Sequence, residues 1–474
     1  MKQNVTLGGL SALGFALRAI VTLSAVTLAM VPAAAPALAD ENSVNSAIVP
    51  AVCDSARFQN QCQRMAEGDI DLLMVGDSIT EFWENAGREV WDEFYGHRKV
   101  LNFGISGERT EHILWRIDNA PMKSISPKMV VVMIGTNNVG HGTNTPEETL
   151  PGIVMIVDRF RALYPDAKIL LLSVFPRGAA PWDPLRQAVN TINDGLNARY
   201  GDGQVDNVSY LDISSLFLTP EGFLPAELMP DFLHPRAAGY ELWAAAMEPA
   251  IAKTLGDIPF DATEGGYAPD SWQLARHQEK CQMLETADPR LLLIGDSITH
   301  FWEEAGKPVW EQYYGDKRAV NLGISGDKTE NVLWRVANAP LEKVHPKGIC
   351  LLIGVNNISV GRRPVDAALG VRAIVEALRA KCPEAAIIVQ KVFPWGAAED
   401  RPQRQDRVDA LNRMIPAMLL GIDGVRIVDL TGRFVNAEGN IIPEMMPDLT
   451  HPNRFGYEIW GSAMDQTVRE MLAR

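Results

Sequence analysis

The chain has 474 residues, 47% of them hydrophobic and 22% charged, with a formal net charge of −15. This composition is typical of a globular protein and excludes a disordered chain. The excess of acidic residues argues against nucleic acid or an anionic membrane surface as a partner. At about 100–200 residues per domain, the length predicts two domains.

The first 39 residues are predicted to be a cleaved export signal. Lys2 and Arg18 supply positive charge before an almost wholly apolar run at 19–31. Residues 37–39, Ala-Leu-Ala, form a small-x-small cleavage site. A retained membrane anchor is the alternative, but Pro32 and Pro36 interrupt the apolar run before it reaches about 20 residues. We therefore expect an exported protein, periplasmic or extracellular, whose mature net charge is −17 once the two positive charges are removed.

A long internal repeat organises the rest of the chain. Residues 73–80, Leu-Met-Val-Gly-Asp-Ser-Ile-Thr, recur 219 positions later as residues 292–299, Leu-Leu-Ile-Gly-Asp-Ser-Ile-Thr. Further motifs keep this offset, which falls only to 217 near the ends of the copies. A period of this length indicates whole domains rather than solenoid units. We predict domains at 53–256 and 270–474, joined by a linker at 257–269 in which Gly, Pro and Asp cluster.

Each copy is predicted to alternate strands with helices. In the first copy we expect strands near 70–75, 98–102, 128–134, 167–174 and 208–212, and helices near 108–118, 146–163, 184–199 and 236–254. This alternation predicts an α/β fold with a parallel sheet covered on both faces. The first strand ends at Gly76-Asp77-Ser78, on the sheet edge where ligands bind in open α/β folds. Ser78 is thus either a helix cap or a nucleophile.

Residues after the later strands could complete a nucleophilic site with Ser78. Asp231 and His234 are three positions apart, so Asp231 could accept from Nδ1–H of His234 while Nε2 takes the serine proton. Gly107 and Asn137 follow the second and third strands and could donate N–H groups to an oxyanion. Each motif alone is compatible with ordinary turn chemistry. The set occurs in order twice, however, with the second copy supplying Ser297, Gly326, Asn356, Asp448 and His451.

These motifs resemble those of the SGNH, or GDSL-type, esterases, and within them the catalytic subunits of intracellular platelet-activating-factor acetylhydrolases and their bacterial relatives. The resemblance rests on Gly76–Ser78, Asn102–Gly107, Gly135–Asn138 and Asp231–His234, and it covers both copies nearly end to end. It implies a three-layer α/β/α flavodoxin-like fold in each copy. It also implies the serines as nucleophiles, the histidines as bases, the aspartates as their orienting groups, and no metal or other cofactor.

The same resemblance implies an acyl pocket formed by three positions. These are the residue after the nucleophile, the residue before the oxyanion asparagine, and the residue before the histidine. They are Ile79, Thr136 and Leu233 in the first copy and Ile298, Val355 and Thr450 in the second. Branched side chains at the first two positions predict a small apolar pocket. The valine of the second copy departs from the family pattern by removing a hydroxyl beside the oxyanion hole.

We therefore expect an exported carboxylic-ester hydrolase with two active sites, acting on short acyl esters of a small molecule, glycan or lipid. After cleavage of the signal we expect no stable membrane insertion. One alternative is a lysophospholipase or thioesterase acting on long acyl chains. Another is a glycan-binding protein in which one copy has lost catalysis.

The cysteines allow a further prediction. Five cysteines in an exported chain leave at least one unpaired. Cys350 begins the third strand of the second copy and Cys382 closes the helix before the fourth, so adjacent parallel strands would place both at one sheet edge. We predict a Cys350–Cys382 disulfide, with two independent buried thiols as the alternative. Cys53 and Cys62 are a second possible pair, which would leave Cys281 free.

Overall fold

The computed structural model describes residues 44–257, 264–396 and 401–473. The predicted signal at 1–39 and residues 258–263 of the predicted linker lie outside the described residues. The predicted domain boundaries remain predictions.

Each repeat contains a five-stranded parallel sheet, which confirms the predicted fold class. In the first repeat the strands are β1 Leu72–Gly76, β2 Val100–Gly104, β3 Met129–Met133, β4 Lys168–Leu172 and β5 Val208–Leu211. In the second they are β6 Leu291–Gly295, β7 Ala319–Asn321, β8 Gly348–Leu352, β9 Ala386–Gln390 and β10 Val425–Val428. The spatial orders β2-β1-β3-β4-β5 and β7-β6-β8-β9-β10 are the same. Both therefore reverse direction at the strand that ends in Gly-Asp-Ser, where a crevice forms at the carboxyl edge.

Helices flank both sheets. In the first repeat they are α1 Ala56–Ala66, α2 Ser78–Glu81, α3 Arg88–Tyr95, α4 Thr110–Asn119, α5 Thr136–Gly140, α6 Pro146–Leu163, α7 Pro184–Tyr200 and α8 Ala237–Leu255. In the second they are α9 Trp272–Ala287, α10 Ser297–His300, α11 Lys307–Tyr314, α12 Thr329–Asn338, α13 Val355–Ser359, α14 Pro364–Lys381, α15 Arg401–Met418 and α16 Arg454–Ala473. The strands and helices predicted for the first repeat lie within two residues of these bounds.

Alternate residues of β1 point to two different apolar cores, which makes each repeat a three-layer sandwich. Leu72 and Met74 pack with residues of α3 and α8, whereas Leu73 and Val75 pack with residues of α1, α4, α6 and α7. All four side chains are at most 1% exposed. The strand therefore reads as a continuous apolar run, as expected for a parallel strand that is covered on both faces.

Four helices of the first repeat, α1, α2, α3 and α5, had no counterpart in the sequence prediction. Helices α2 and α5 have only four and five residues, too few to show a helical period. Helix α1 begins at a capping residue, Ser55, whose side chain accepts a hydrogen bond from the backbone N–H of Phe58 at 3.1 Å. The short helices matter most for function, because both begin at the carboxyl edge of the sheet.

The two repeats pack directly on each other. Helix α8 of the first repeat contacts α15 of the second. Arg413 on α15 donates from Nε to Oε2 of Glu241 on α8 at 2.7 Å. The guanidinium of Arg363 also donates to the backbone carbonyl of Glu93 at 3.2 Å. The α3 and α8 face of the first repeat thus shares one continuous apolar core with the second repeat.

The predicted Cys350–Cys382 disulfide is wrong, because all five cysteines are free thiols. Cys350 shares a face of β8 with Gly348, at which a Cβ would meet Met471 of α16. Cys382 follows α14, which covers the other face as α6 does in the first repeat, and its Sγ lies 3.7 Å from the carbonyl oxygen of Leu341. Both thiols are buried, as in the alternative interpretation. Cys53 and Cys62, the second possible pair, do not form a disulfide either.

Among the described residues, the helices are each too short or too polar to cross a membrane.

Candidate active sites

The turn from β1 to α2 places Ser78 at the carboxyl edge of the sheet. β1 ends at Gly76, where a Cβ would lie 2.6 Å from a carbonyl oxygen of β3, so a side chain does not fit. Asp77 caps α2 by accepting from the backbone N–H of Ile79 at 3.0 Å. The hydroxyl of Tyr240 on α8 donates to the carbonyl oxygen of Ile79 at 2.7 Å. These contacts hold the first turn of α2 from both sides.

The segment before α8 brings a histidine to this serine. Nε2 of His234 lies 2.9 Å from Oγ of Ser78, and its Nδ1 lies 2.6 Å from Oδ2 of Asp231. The other carboxylate oxygen of Asp231 accepts from the backbone N–H of His234 at 2.8 Å. Phe232 closes this turn with a left-handed φ of 56°, a conformation that costs roughly 1–2 kcal/mol for a residue with a side chain. The ring of Phe82 packs 5.0 Å from the imidazole.

Two loops at the same edge of the sheet carry N–H donors. Gly107 has a φ of 77° and open space where a Cβ would stand, so a ligand can approach its backbone. Within the described part of the chain, the backbone N–H groups of Ser78 and Gly107 have no recorded hydrogen-bond acceptor. Asn137 donates from Nδ2 to the carbonyl oxygen of Glu108 at 3.0 Å, which fixes the amide and leaves its second hydrogen available.

Several residues that hold these loops had no role in the sequence analysis. Glu108, the residue after Gly107, forms a buried ion pair with Arg116 of α4, and their charged groups are 2.5 Å apart. Asn138 accepts at Oδ1 from the backbone N–H of Thr110 at 3.1 Å, which joins the third loop to the start of α4. The second repeat has a counterpart for each of them and for Tyr240. These are Asp327 for Glu108, Arg335 for Arg116, Thr329 for Thr110, Asn357 for Asn138 and Tyr457 for Tyr240. Comparison of the two copies was the signal that could have found them.

The second repeat assembles the same arrangement. Nε2 of His451 lies 2.8 Å from Oγ of Ser297, and its Nδ1 lies 2.6 Å from Oδ2 of Asp448. Asn356 donates to the carbonyl oxygen of Asp327 at 2.9 Å. Gly326 and Leu449 have left-handed φ values of 86° and 58°, as at the matching positions of the first repeat. All five predicted site residues of each copy are thus brought together at one edge of its sheet.

The residues predicted for the acyl pocket flank these groups. Ile79 and Thr136 are at most 1% exposed, and Ile298 and Val355 are at most 3% exposed. Leu233 and Thr450 are half-buried and are therefore the members of each set that retain solvent-exposed surface.

The carboxyl groups of the sites differ in their electrostatics. Burial acts to raise the pKa of Asp231, but hydrogen bonds from the backbone and ring of His234 outweigh it and hold that pKa below its ordinary value. The same balance lowers the pKa of Asp448. Burial raises the pKa of Asp77 to about 7, and its Oδ2 has no hydrogen-bond partner among the described residues. Burial likewise raises the pKa of Asp296 to about 7.

A serine, a histidine and an aspartate in this order of contact, beside neutral N–H donors, are typical of enzymes that transfer acyl groups. The described residues hold no cluster of three or more His, Cys, Asp or Glu side chains arranged to hold a metal ion. The model of the GDSL-like lipase/acylhydrolase family matches the chain twice, at residues 74–242 and 293–459. The chain belongs to this family. It is therefore an esterase with two GDSL domains, which confirms the resemblance and the enzyme class predicted from the motifs.

Among curated relatives, the alpha2 subunit of platelet-activating factor acetylhydrolase IB from Rattus norvegicus is 36% identical over 203 residues, which are 43% of this chain and 84% of that protein. The alpha1 subunit from the same organism is 32% identical over 185 residues, which are 39% of this chain and 76% of that protein. A GDSL-like lipase structure from Bacteroides thetaiotaomicron is 17% identical with a TM-score of 0.36, covering 42% of this chain and 98% of its own. An acetylxylan esterase structure from Geobacillus stearothermophilus is 19% identical with a TM-score of 0.32, and the match covers 40% of this chain and 96% of that one.

The buried capping carboxyls predict a pH-dependent stability. Because the pKa of each is raised from 3.8 to about 7 in the folded protein, the folded state binds more protons, and stability should fall as the pH rises from about 4 to about 7. Asp77→Asn and Asp296→Asn keep the capping oxygen but do not ionise. Each should remove up to about 4 kcal/mol of that decline.

Urea unfolding at pH 5, 6, 7 and 8, followed by tryptophan fluorescence, measures this effect. Each single variant should flatten part of the profile and the double variant should flatten it most. If the folded double variant keeps the full slope of the parent, the carboxyls do not titrate in this range and the prediction is wrong.

Proposed function

We propose that the protein is an exported serine esterase with two active sites, which removes acetyl or other short acyl groups from an O-acylated glycan, lipid or small molecule. One observation carries the proposal. In each repeat a serine hydroxyl lies within 2.9 Å of an imidazole nitrogen whose other ring nitrogen contacts a carboxylate. Neither repeat has lost a member of this set, so the glycan-binding alternative with one inactive copy has no support.

The proposed mechanism is a double displacement. Oγ of Ser78 attacks the acyl carbonyl carbon while Nε2 of His234 takes the hydroxyl proton, and Asp231 stabilises the resulting imidazolium. The carbonyl oxygen becomes an oxyanion that accepts from the backbone N–H groups of Ser78 and Gly107 and from the amide of Asn137. Collapse expels the alcohol, which takes the proton from Nε2. Water then attacks the acyl-enzyme by the same route and releases the acid.

The openness of the sites supports a bulky alcohol half. The side chain of Asp231 is 55% exposed and that of His234 is 26% exposed, so the described residues leave the leaving-group side open to solvent. In the second repeat the matching values are 57% for Asp448 and 27% for His451. The acetylhydrolase names of the curated relatives support a short acyl group.

Export rests on the pattern of the first 39 residues, and it has a direct test. Expression of the full chain in a bacterial host with a functional secretion pathway should release a protein whose N-terminal residue is Asp40. Edman sequencing of the periplasmic or culture fraction reads this residue. Recovery of the uncleaved chain from the cytoplasm alone would contradict export without touching the proposed chemistry.

Independent catalysis by the two repeats predicts a distinctive pattern of serine variants. Ser78→Ala and Ser297→Ala should each leave partial esterase activity, and the double variant should lose on the order of 10⁴–10⁶-fold, because loss of the nucleophile removes most of the rate enhancement. Hydrolysis of nitrophenyl acetate measures all three. Ser124→Ala is the matched control, because Ser124 precedes the amino end of β3 and the active sites lie at the carboxyl ends of the strands. A single variant that abolishes all turnover while both repeats remain folded would falsify independence.

A small acyl pocket predicts a preference for short chains at both sites. Acetyl esters should be the best substrates, butyryl esters weaker and octanoyl esters poorest, with a cost of about 1–3 kcal/mol for a methylene that fits badly. The kcat/KM values of the C2, C4 and C8 nitrophenyl esters on each single serine variant decide the point. A site that prefers C8 over C2 would favour the long-chain acylhydrolase instead.

A further inference from the structure

The two sites differ in the loop that follows the fourth strand of each sheet. In the loop after β4 the first repeat has Phe175-Pro176-Arg177-Gly178, whereas the second has Phe393-Pro394-Trp395-Gly396. The second repeat thus replaces a fixed positive charge with a neutral aromatic ring. The remaining site geometry is the same within 0.1 Å for the hydrogen bonds of the serine and the histidine ring. The difference therefore concerns what the sites bind rather than how they cleave it.

The structure of the first repeat accommodates this arginine specifically. Nη1 of Arg177 donates to the carbonyl oxygen of Thr136 at 3.1 Å and approaches its hydroxyl at 3.4 Å. The guanidinium lies against α5 at Gly140, where a Cβ would stand only 2.0 Å from Nη1. In the second repeat the residue matched to this glycine is Ser359, whose hydroxyl donates to the carbonyl oxygen of Asn356 at 2.9 Å. The two positions thus differ together, because the first repeat has glycine and arginine where the second has serine and tryptophan.

Arg177 lies between the two halves of the site. Thr136, which it contacts, directly precedes the oxyanion asparagine. The next residue, Gly178, donates its backbone N–H to the carbonyl oxygen of Phe232 at 3.0 Å, inside the turn that carries His234. The Arg177–Gly178 segment therefore joins the acyl-pocket residue Thr136 to the turn of His234, the group that returns its proton to the leaving alcohol.

The backbone of this loop is held rigidly. Arg186 is only 2% exposed. Its guanidinium donates to the carbonyl oxygens of Arg177 at 2.9 Å, Gly178 at 2.5 Å and Gly222 at 3.1 Å. In the second repeat the matching Arg404 lies over the ring of Trp395, 4.8 Å from its centroid. A buried arginine that fixes three carbonyls keeps the neighbouring cation in place before a ligand arrives.

The charge of Arg177 is available to a ligand. Within the described residues no carboxylate lies within 4.0 Å of its guanidinium, although Asp77, Asp183 and Asp231 are close enough to act on it electrostatically. Among the described residues, Nε and Nη2 of Arg177 donate no hydrogen bond. The side chain is half-buried rather than extended into solvent. Two N–H donors in a fixed plane match the two oxygens of a carboxylate.

An exposed aromatic pair lies in and beside the loop that carries Arg177. Trp182 is 71% exposed and Phe223 is 40% exposed, and their rings meet edge to face with centroids 5.5 Å apart. Phe223 follows Gly222, whose carbonyl Arg186 binds. Exposed aromatic rings are amphipathic surfaces on which the apolar face of a sugar could pack. The matching residues of the second repeat are Asp400 and Asn440, neither of which is aromatic.

We propose that Arg177 makes the Ser78 site selective for acyl esters of acidic glycans, in which the sugar bearing or adjoining the ester carries a carboxylate. The Ser297 site, with Trp395 in its place, takes neutral sugars. The proposal rests on the proposed esterase function. Arg177 binds the carboxylate of the alcohol half in the ground state and the transition state, so its contribution appears in KM more than in kcat.

The test uses the full chain with Ser297→Ala, so that only the first site turns over. The probes are O-acetylated galacturonan oligosaccharides and O-acetylated xylo-oligosaccharides, compared through the ratio of their kcat/KM values. Arg177→Gln should lower this ratio about 10–100-fold, the range for a hydrogen bond to a charged group. Arg177→Lys should restore part of the ratio. Added NaCl should lower the ratio in the parent and not in Arg177→Gln.

Two further variants sharpen the result. Arg88→Gln removes an exposed arginine of α3 that pairs with Asp92, and it should leave the ratio unchanged. In the Ser78→Ala background, Trp395→Arg with Ser359→Gly should raise the preference of the second site for the acidic probe.

The opposite outcomes overturn the proposal. If Arg177→Gln lowers kcat/KM for both probes equally and the salt dependence is the same, Arg177 only positions Thr136 and confers no specificity. If the Ser297→Ala protein no longer hydrolyses nitrophenyl acetate, the two-site function itself fails, and the specificity of the first site fails with it.

Discussion

The structure depends on one close approach, where the first strand of each sheet ends without a side chain. A Cβ on Gly76 would stand 2.6 Å from a carbonyl oxygen of β3, and a Cβ on Gly295 would stand 2.3 Å from a carbonyl oxygen of β8. Because only hydrogen fits there, the chain turns from strand to helix without leaving the sheet edge. The serine two residues later is therefore presented to the crevice at the point where the strand order reverses.

Everything else at the site keeps groups in register with that serine. The oxyanion asparagine is held by a backbone carbonyl, and that carbonyl belongs to a residue whose side chain is tied to a buried arginine. The second repeat reaches the same distances with different partners. Asp327 replaces Glu108, and it accepts from the hydroxyl of Tyr267 at 2.6 Å where Glu108 accepts from Cys53 at 2.7 Å. A constant geometry built from changed side chains indicates that position, rather than the identity of the supporting residue, is what the chemistry requires.

The rims have diverged instead. The first site carries a fixed cation and exposed aromatic rings, whereas the matching position of the second carries a tryptophan next to an arginine. The proposed specificities of the two sites rest on this difference between their rims. The repeats that carry the two sites pack directly on each other through α8 and α15.

The sequence by itself determined the repeats and the ends of the strands, and it predicted the ten site residues that the structure brings to the two sheet edges. Each of these depends on local pattern: apolar runs, short motifs and the placement of those motifs where parallel strands end. The tertiary structure decided what depends on which face a side chain takes. Cys350 and Cys382 lie on opposite faces of one sheet, a difference that their position along the chain does not reveal. The contact of Arg177 with Thr136 and α5 likewise joins residues far apart in sequence, so only folding shows that a cation borders the first site.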